Sequence, residues 1–218
     1  MRYYRLSTDE GKRKRFAYGL GLEEWPRQLI FCPLCKREWK KSLMHEKGQY
    51  IPLALSNDYY PDFLWYYIRH ISEKAKIVME SERITGYGLE RAHIVSVRDL
   101  TEQQKKELRH DGIKINRIAA DPPAYYKLHV ELGAEFHEKA QIILRENCSE
   151  CGYEDYITLG KDWVDSEKGI FIRKDSWNGK DLFLCKGYGL HIFCTERFAD
   201  VYHSNGLTGL EFDEVEVL

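Results

Sequence analysis

Four of the six cysteines fall into two C-x-x-C pairs, Cys32-Pro-Leu-Cys35 and Cys148-Ser-Glu-Cys151, and the second pair runs straight into Gly152. Two such pairs supply four thiolates, the tetrahedral ligand set of a closed structural Zn2+ site. Four sulfurs leave no coordination position for water or substrate, so the site they imply is structural and not catalytic. Zinc ribbons separate their pairs by about 15–20 residues, whereas here 112 residues intervene. Closing so long a loop costs roughly 4 kcal/mol, against about 10–16 kcal/mol for zinc at structural peptide sites, so one shared ion is the expected reading. Spacing alone leaves two others open. The pairs could be redox dithiols, although neither shows the setting in which the first cysteine opens a helix, or they could be metal-free thiols or disulfides. Cys185 and Cys194 sit in strand-like stretches and read as small core residues. His45, His137 and His191 have no ligand spacing to either pair.

The elements that must position these cysteines can be read from periodicity and punctuation. Strands are expected at 2–6 and at 27–31, the latter delivering the chain into Cys32. Phe63, Leu64, Tyr67, Ile68, Ile71, Ala75 and Val78 recur at helical spacing and predict a helix, with Phe63, Trp65 and Tyr67 as core. Residues 93–100 alternate as a strand, and Thr101 with Gln104 has the form of a capping box opening a helix at about 102–110. Asp111-Gly112 stops that helix, and 113–118 alternates again. The same order recurs as a strand at 191–194, a helix from Thr195-Glu196 to Asn205-Gly206, and a strand at 210–217. A duplicated strand–helix–strand unit at about 93–118 and 191–217 is therefore expected. With a further strand at 127–132 and no low-complexity linker, residues 1–218 read as one α+β domain. Its sheet should be mixed and largely antiparallel, with flanking helices and a zinc-knuckle clasp.

Composition narrows the function classes. A 43% hydrophobic content suffices for a core, and 33 basic against 35 acidic side chains create no overall field for phosphate or acidic lipid. The basic run at 12–15 reads as a solvated loop. No apolar leader opens the chain and no stretch approaches the length of a membrane span, so a cytoplasmic, reducing location is expected. The chain carries no H-E-x-x-H, P-loop, G-x-S-x-G or G-x-G-x-x-G pattern, and no catalytic centre is expected.

The order of features is more specific than any one of them. A Met-Arg-Tyr-Tyr-Arg-Leu opening, a C-x-x-C at 32, a distant C-x-x-C-G, and a closing run from Thr195-Glu-Arg-Phe198 to Gly206-Leu-Thr-Gly-Leu-Glu-Phe212 resemble the bacterial double-CXXCG motif family. That family includes immunity proteins of contact-delivered and polymorphic toxin systems. The resemblance implies an antitoxin that binds one cognate toxin and blocks it by occlusion. It departs from the pattern at Lys36, which stands where the family has glycine and makes the first knuckle the weaker half. Candidate partner-binding groups are Trp163, Asp165, Trp177 and Asp181, and the acidic tail Glu211, Asp213, Glu214 and Glu216. The bland reading makes these core tryptophans and solvated charges. The alternative function is nucleic-acid binding or regulation by a zinc protein, using Lys36, Arg37, Lys40 and Lys41 with Trp39 as a stacking residue.

Overall fold

The computed structural model describes residues 1–8, 16–24, 26–43, 48–49, 51–64, 70–140, 142–158, 170–187 and 191–218. Its α-helices are α1 (Glu73–Ser81), α2 (Glu102–His110) and α3 (Glu196–Ser204). Each has nine residues, too few to persist in water without packing. The largest sheet has six strands in the order Leu132–Ala134, Leu182–Cys185, Ile192–Thr195, Tyr3–Thr8, Leu210–Val217, Phe171–Ile172. Its four central strands are antiparallel and its edge strands join in parallel, so the sheet is mixed and the fold is α+β, as expected. A second, antiparallel sheet runs Phe63–Leu64, His70–Ser72, Tyr125–Val130, Tyr87–Arg91. Both cysteine pairs sit at the turns of two-stranded hairpins, Arg27–Phe31 with Glu38–Ser42 and Ile142–Cys148 with Tyr153–Thr158.

The second sheet repeats the centre of the first, strand for strand and in register. Tyr3 faces Thr195 and Leu6 faces Phe212 in one, while Tyr125 faces Ser72 and Leu128 faces Leu89 in the other. The residues follow suit. Tyr3-Tyr4-Arg5-Leu6 matches Tyr125-Tyr126-Lys127-Leu128, Ser72-Glu73-Lys74 matches Thr195-Glu196-Arg197, and Thr85-Gly86 matches Thr208-Gly209. Each copy thus reads opening strand, C-x-x-C hairpin, aspartate, hairpin, helix, Thr-Gly and closing strand. The opening strands are exchanged: Tyr3–Thr8 pairs inside the sheet of the later copy, and Tyr125–Val130 inside that of the earlier one. The segment 96–121, which carries α2, connects the copies and packs Leu100, Leu108 and Ile118 on Leu22 and Ala54. The main core is shared, with Ile71, Ala75 and Met79 of the earlier copy against Leu182, Phe198 and Tyr202 of the later.

Two aspartates lock the copies together reciprocally. The Thr85 backbone N–H and Oγ1 donate to Asp181 Oδ2 at 2.9 and 2.8 Å, and the Asp181 N–H donates back to Thr85 Oγ1 at 3.1 Å. In the mirror arrangement the Thr208 N–H and Oγ1 each donate to Asp62 Oδ2 at 3.0 Å, and the Asp62 N–H returns a bond to Thr208 Oγ1 at 3.0 Å. Each carboxylate also receives the N-cap hydroxyl of its own copy, Ser72 on Asp62 at 2.8 Å and Thr195 on Asp181 at 3.2 Å. Lys74 and Arg197 add the matching cations. The close approach requires glycine at the next position, since a Cβ on Gly86 would overlap the Leu182 carbonyl and one on Gly209 the Phe63 carbonyl.

Several expectations change against this frame. The helical pattern from Phe63 to Val78 resolves into the strands Phe63–Leu64 and His70–Ser72 followed by α1 from Glu73, while Trp65 and Tyr67 lie outside the described residues. The run 93–118 is not a strand–helix–strand unit. It holds an isolated bridge at Ile94, 3-10 turns at Val97–Asp99 and Ile115–Arg117, and α2 between them. The segment that matches 192–217 is 70–91. The capping box at Thr101 and Gln104 and the stop at Gly112, φ +79°, are as read from sequence. No helix among the described residues is long and apolar enough to cross a membrane.

Candidate metal centre

Each hairpin turns on its C-x-x-C segment in the same way. The Lys36 N–H donates to the Cys32 carbonyl at 2.9 Å, and the Gly152 N–H to the Cys148 carbonyl at 2.9 Å. Lys36 has φ +59° and Gly152 φ +68°. Lysine therefore adopts the left-handed turn that glycine adopts in the other knuckle, and the two halves of the site are alike despite the missing glycine. The difference is energetic, because a side chain in that region costs about 1–2 kcal/mol.

The two turns face each other, one from each copy. Cys32 Sγ lies 3.8 Å from Cys148 Sγ, Cys35 Sγ lies 3.9 Å from Cys151 Sγ, and all four sulfurs are within 4.8 Å of one another. A tetrahedron of sulfurs at the metal distance of about 2.3 Å has edges of about 3.8 Å, whereas a disulfide needs about 2.05 Å. The four cysteines are free thiols in an arrangement that fits a metal ion. Cys32 is 1% and Cys148 7% exposed, so the inner pair is shielded and the outer pair meets the surface.

Electrostatics point the same way. The Cys35 backbone N–H, 3.5 Å from Cys32 Sγ, is the chief cause that lowers the Cys32 thiol to about 7. For Cys35, the Arg37 backbone N–H favours ionisation, but burial and the neighbouring thiols of Cys32, Cys148 and Cys151 outweigh it and push the group up to about 11. Four sulfurs this close cannot all carry charge without a cation among them. Cys185 and Cys194, by contrast, are buried in the six-stranded sheet and raised by desolvation.

Side chains beside the sulfurs join the hairpins as well. Arg37 pairs with Glu146 and lies over the Tyr153 ring at 4.6 Å, and Trp39 meets Tyr153 edge-on at 5.6 Å. No spacing rule marks these residues in the sequence. They also bear on the basic cluster, since Arg37 and Trp39 are engaged with the second knuckle, whereas Lys36 and Lys40 are exposed.

Among the described candidate partner-binding residues, Trp177 packs in one cluster with Val215 and Val217 of the acidic strand, and Asp181 lies apart from that strand. Trp163 and Asp165 lie outside the described residues. Trp177 is half-buried under Tyr3 at 5.3 Å and donates its indole N–H to the Lys180 carbonyl at 3.0 Å. Asp181 is 7% exposed and its carboxylate is taken by Thr85, Thr195 and Arg197. Asp181 belongs to the interior framework, and Trp177 packs against that framework and remains partly exposed. On the strand Leu210–Val217, Glu211, Glu214 and Glu216 are exposed and Asp213 pairs with Arg5 at 2.8 Å. Strands Ile192–Thr195 and Tyr3–Thr8 separate that row from the strand that follows Asp181. No protein-family model matches the chain, and no curated protein matches it.

Proposed function

We propose that this chain is an immunity protein that binds and neutralises a cognate bacterial toxin, with a structural Zn2+ held by Cys32, Cys35, Cys148 and Cys151. The observation that carries the proposal is the closed four-thiolate clasp in the feature order that resembles the double-CXXCG motif family. A centre with four sulfurs has no position for substrate, and the clasp ties the two copies together at a second place besides their shared core, which suits a preorganised surface for occluding a partner. Zinc is the ion that suits four thiolates in tetrahedral array. The nucleic-acid alternative is disfavoured because Trp39, its stacking residue, is occupied by Tyr153.

The test is co-expression with the product of the adjacent gene. Rescue of growth and a stoichiometric complex on a sizing column are expected, together with one zinc per chain by elemental analysis. Absence of both rescue and complex refutes the immunity reading. A preparation that folds with far less than one metal ion per chain refutes the zinc assignment alone.

A further inference from the structure

The two knuckle hairpins do the same structural work, so their outer faces can be compared position by position. In the first, Arg27, Leu29 and Phe31 alternate outward and are paired with Ser42, Lys40 and Glu38, all exposed. Leu29 is 59%, Phe31 64% and Leu34, at the turn, 68% exposed. Isolated exposed apolar residues are ordinary, but here Leu29 and Phe31 stand two apart on one strand face and Leu34 lies at the turn that follows, three large ones on one small hairpin. In the second knuckle the counterparts of Phe31 and Leu34 are Asn147 and Glu150, and Leu144, which lies level with Leu29, is only 38% exposed. Clasping a metal therefore does not require the whole apolar face, since the second hairpin clasps with polar residues at two of the three matching places.

The charges beside these residues give the sign of what they fit. Arg27 and Lys40 share the face, Lys40 directly across from Leu29, and exposed Lys36 follows Leu34 in the turn, against the single carboxylate that the hairpin carries, Glu38, on a chain whose net charge is −2. Lys36 again has no charged counterpart, because Gly152 fills its place. A nucleic acid would meet the cations and could stack a base on Phe31, but its phosphates would face Glu38 and its bases offer little aliphatic surface to Leu29 and Leu34. A protein surface with an apolar contact ringed by carboxylates satisfies all of these groups. We propose that the outer face of the Arg27–Ser42 hairpin is the surface on which this chain holds its protein partner, Leu29, Phe31 and Leu34 forming the centre and Arg27, Lys36 and Lys40 the rim. The proposal rests on the immunity reading and names the face that reading leaves unassigned.

The experiment titrates the purified adjacent-gene product with the full-length, metal-loaded chain by calorimetry. The Leu29→Ser/Phe31→Ser variant is expected to bind about thirtyfold or more weakly. Lys36→Glu/Lys40→Glu is expected to weaken binding and to reverse its dependence on salt. Asn147→Ser/Glu150→Ser, on the opposite knuckle, is expected to bind as the parent does, and all variants keep their metal. Binding by the parent with no loss in the Leu29/Phe31 variant overturns the proposal and leaves the immunity reading intact. Failure of the parent itself to bind overturns both. Self-association through this face in sedimentation, or Phe31-dependent binding of a single-stranded oligonucleotide, overturns it by supplying a different occupant.

Discussion

Replacing Asp181 by alanine removes the acceptor on which the two copies meet. The carboxylate is 7% exposed and accepts from Thr85 N–H, Thr85 Oγ1, Thr195 Oγ1 and Arg197. Hydrogen bonds to a charged group contribute about 1.5–3 kcal/mol each when buried. Arg197 is 48% exposed, so its share is reduced by solvent screening. The expected loss is about 3–5 kcal/mol, the range for breaking a buried charged network by removing one partner. Thr85→Val keeps the shape but deletes the hydroxyl, leaving the Asp181 N–H without its partner, at about 1–3 kcal/mol. In a double-mutant cycle by urea unfolding, Asp181 and Thr85 should couple by about 1–2 kcal/mol. Asp62→Ala with Thr208→Val should repeat the result, because the same bonds recur there. The crossed pair Asp181 and Thr208 should be additive within about 0.5 kcal/mol. Additivity of both true pairs would show that the reciprocal locks are not energetic links between the copies.

Lys36→Gly should stabilise the metal-loaded protein by about 0.5–1 kcal/mol, the relief of left-handed strain exceeding the added freedom of the unfolded chain; thermal unfolding with unchanged metal content measures it, and a decrease in stability contradicts the strain argument. Metal affinity should fall as pH falls, because ligation requires thiolates and protons compete for them. Cys32 deprotonates at about 7 while Cys35 is held up to about 11, so competition with a colorimetric chelator across roughly pH 5 to 8 should show progressive release on acidification. In the native protein stripped of metal, an alkylating reagent followed by peptide mass mapping should modify the knuckle cysteines and leave Cys185 and Cys194 untouched, since burial shields the latter and keeps them protonated.

The local features legible in the sequence were those whose cause is local. The capping box at Thr101 and Gln104, the αL stop at Gly112 and the alternating strand Leu210–Val217 depend on neighbours within a few residues. The region 63–78 misleads because Phe63, Leu64, Ile71, Ala75 and Val78 satisfy a helical period while two short strands, each buried, occupy its first half. That ambiguity also hides the duplication, since the N-cap at Ser72 that matches Thr195 sits inside what reads as one helix.

By itself the sequence determined that four cysteines in two pairs could make one closed metal site, because ligand number and type are properties of the residues. It also determined the α+β class, which follows from hydrophobic period. Only the tertiary structure decided that the pairs belong to two copies of one unit with exchanged opening strands, since strand partners are chosen by register across the chain. It likewise decided that Asp181 serves the interior, that Trp177 packs under Tyr3 and that Lys36 takes a glycine's place in the turn. Exposure and backbone angle are set by what packs around a residue, and composition does not carry them.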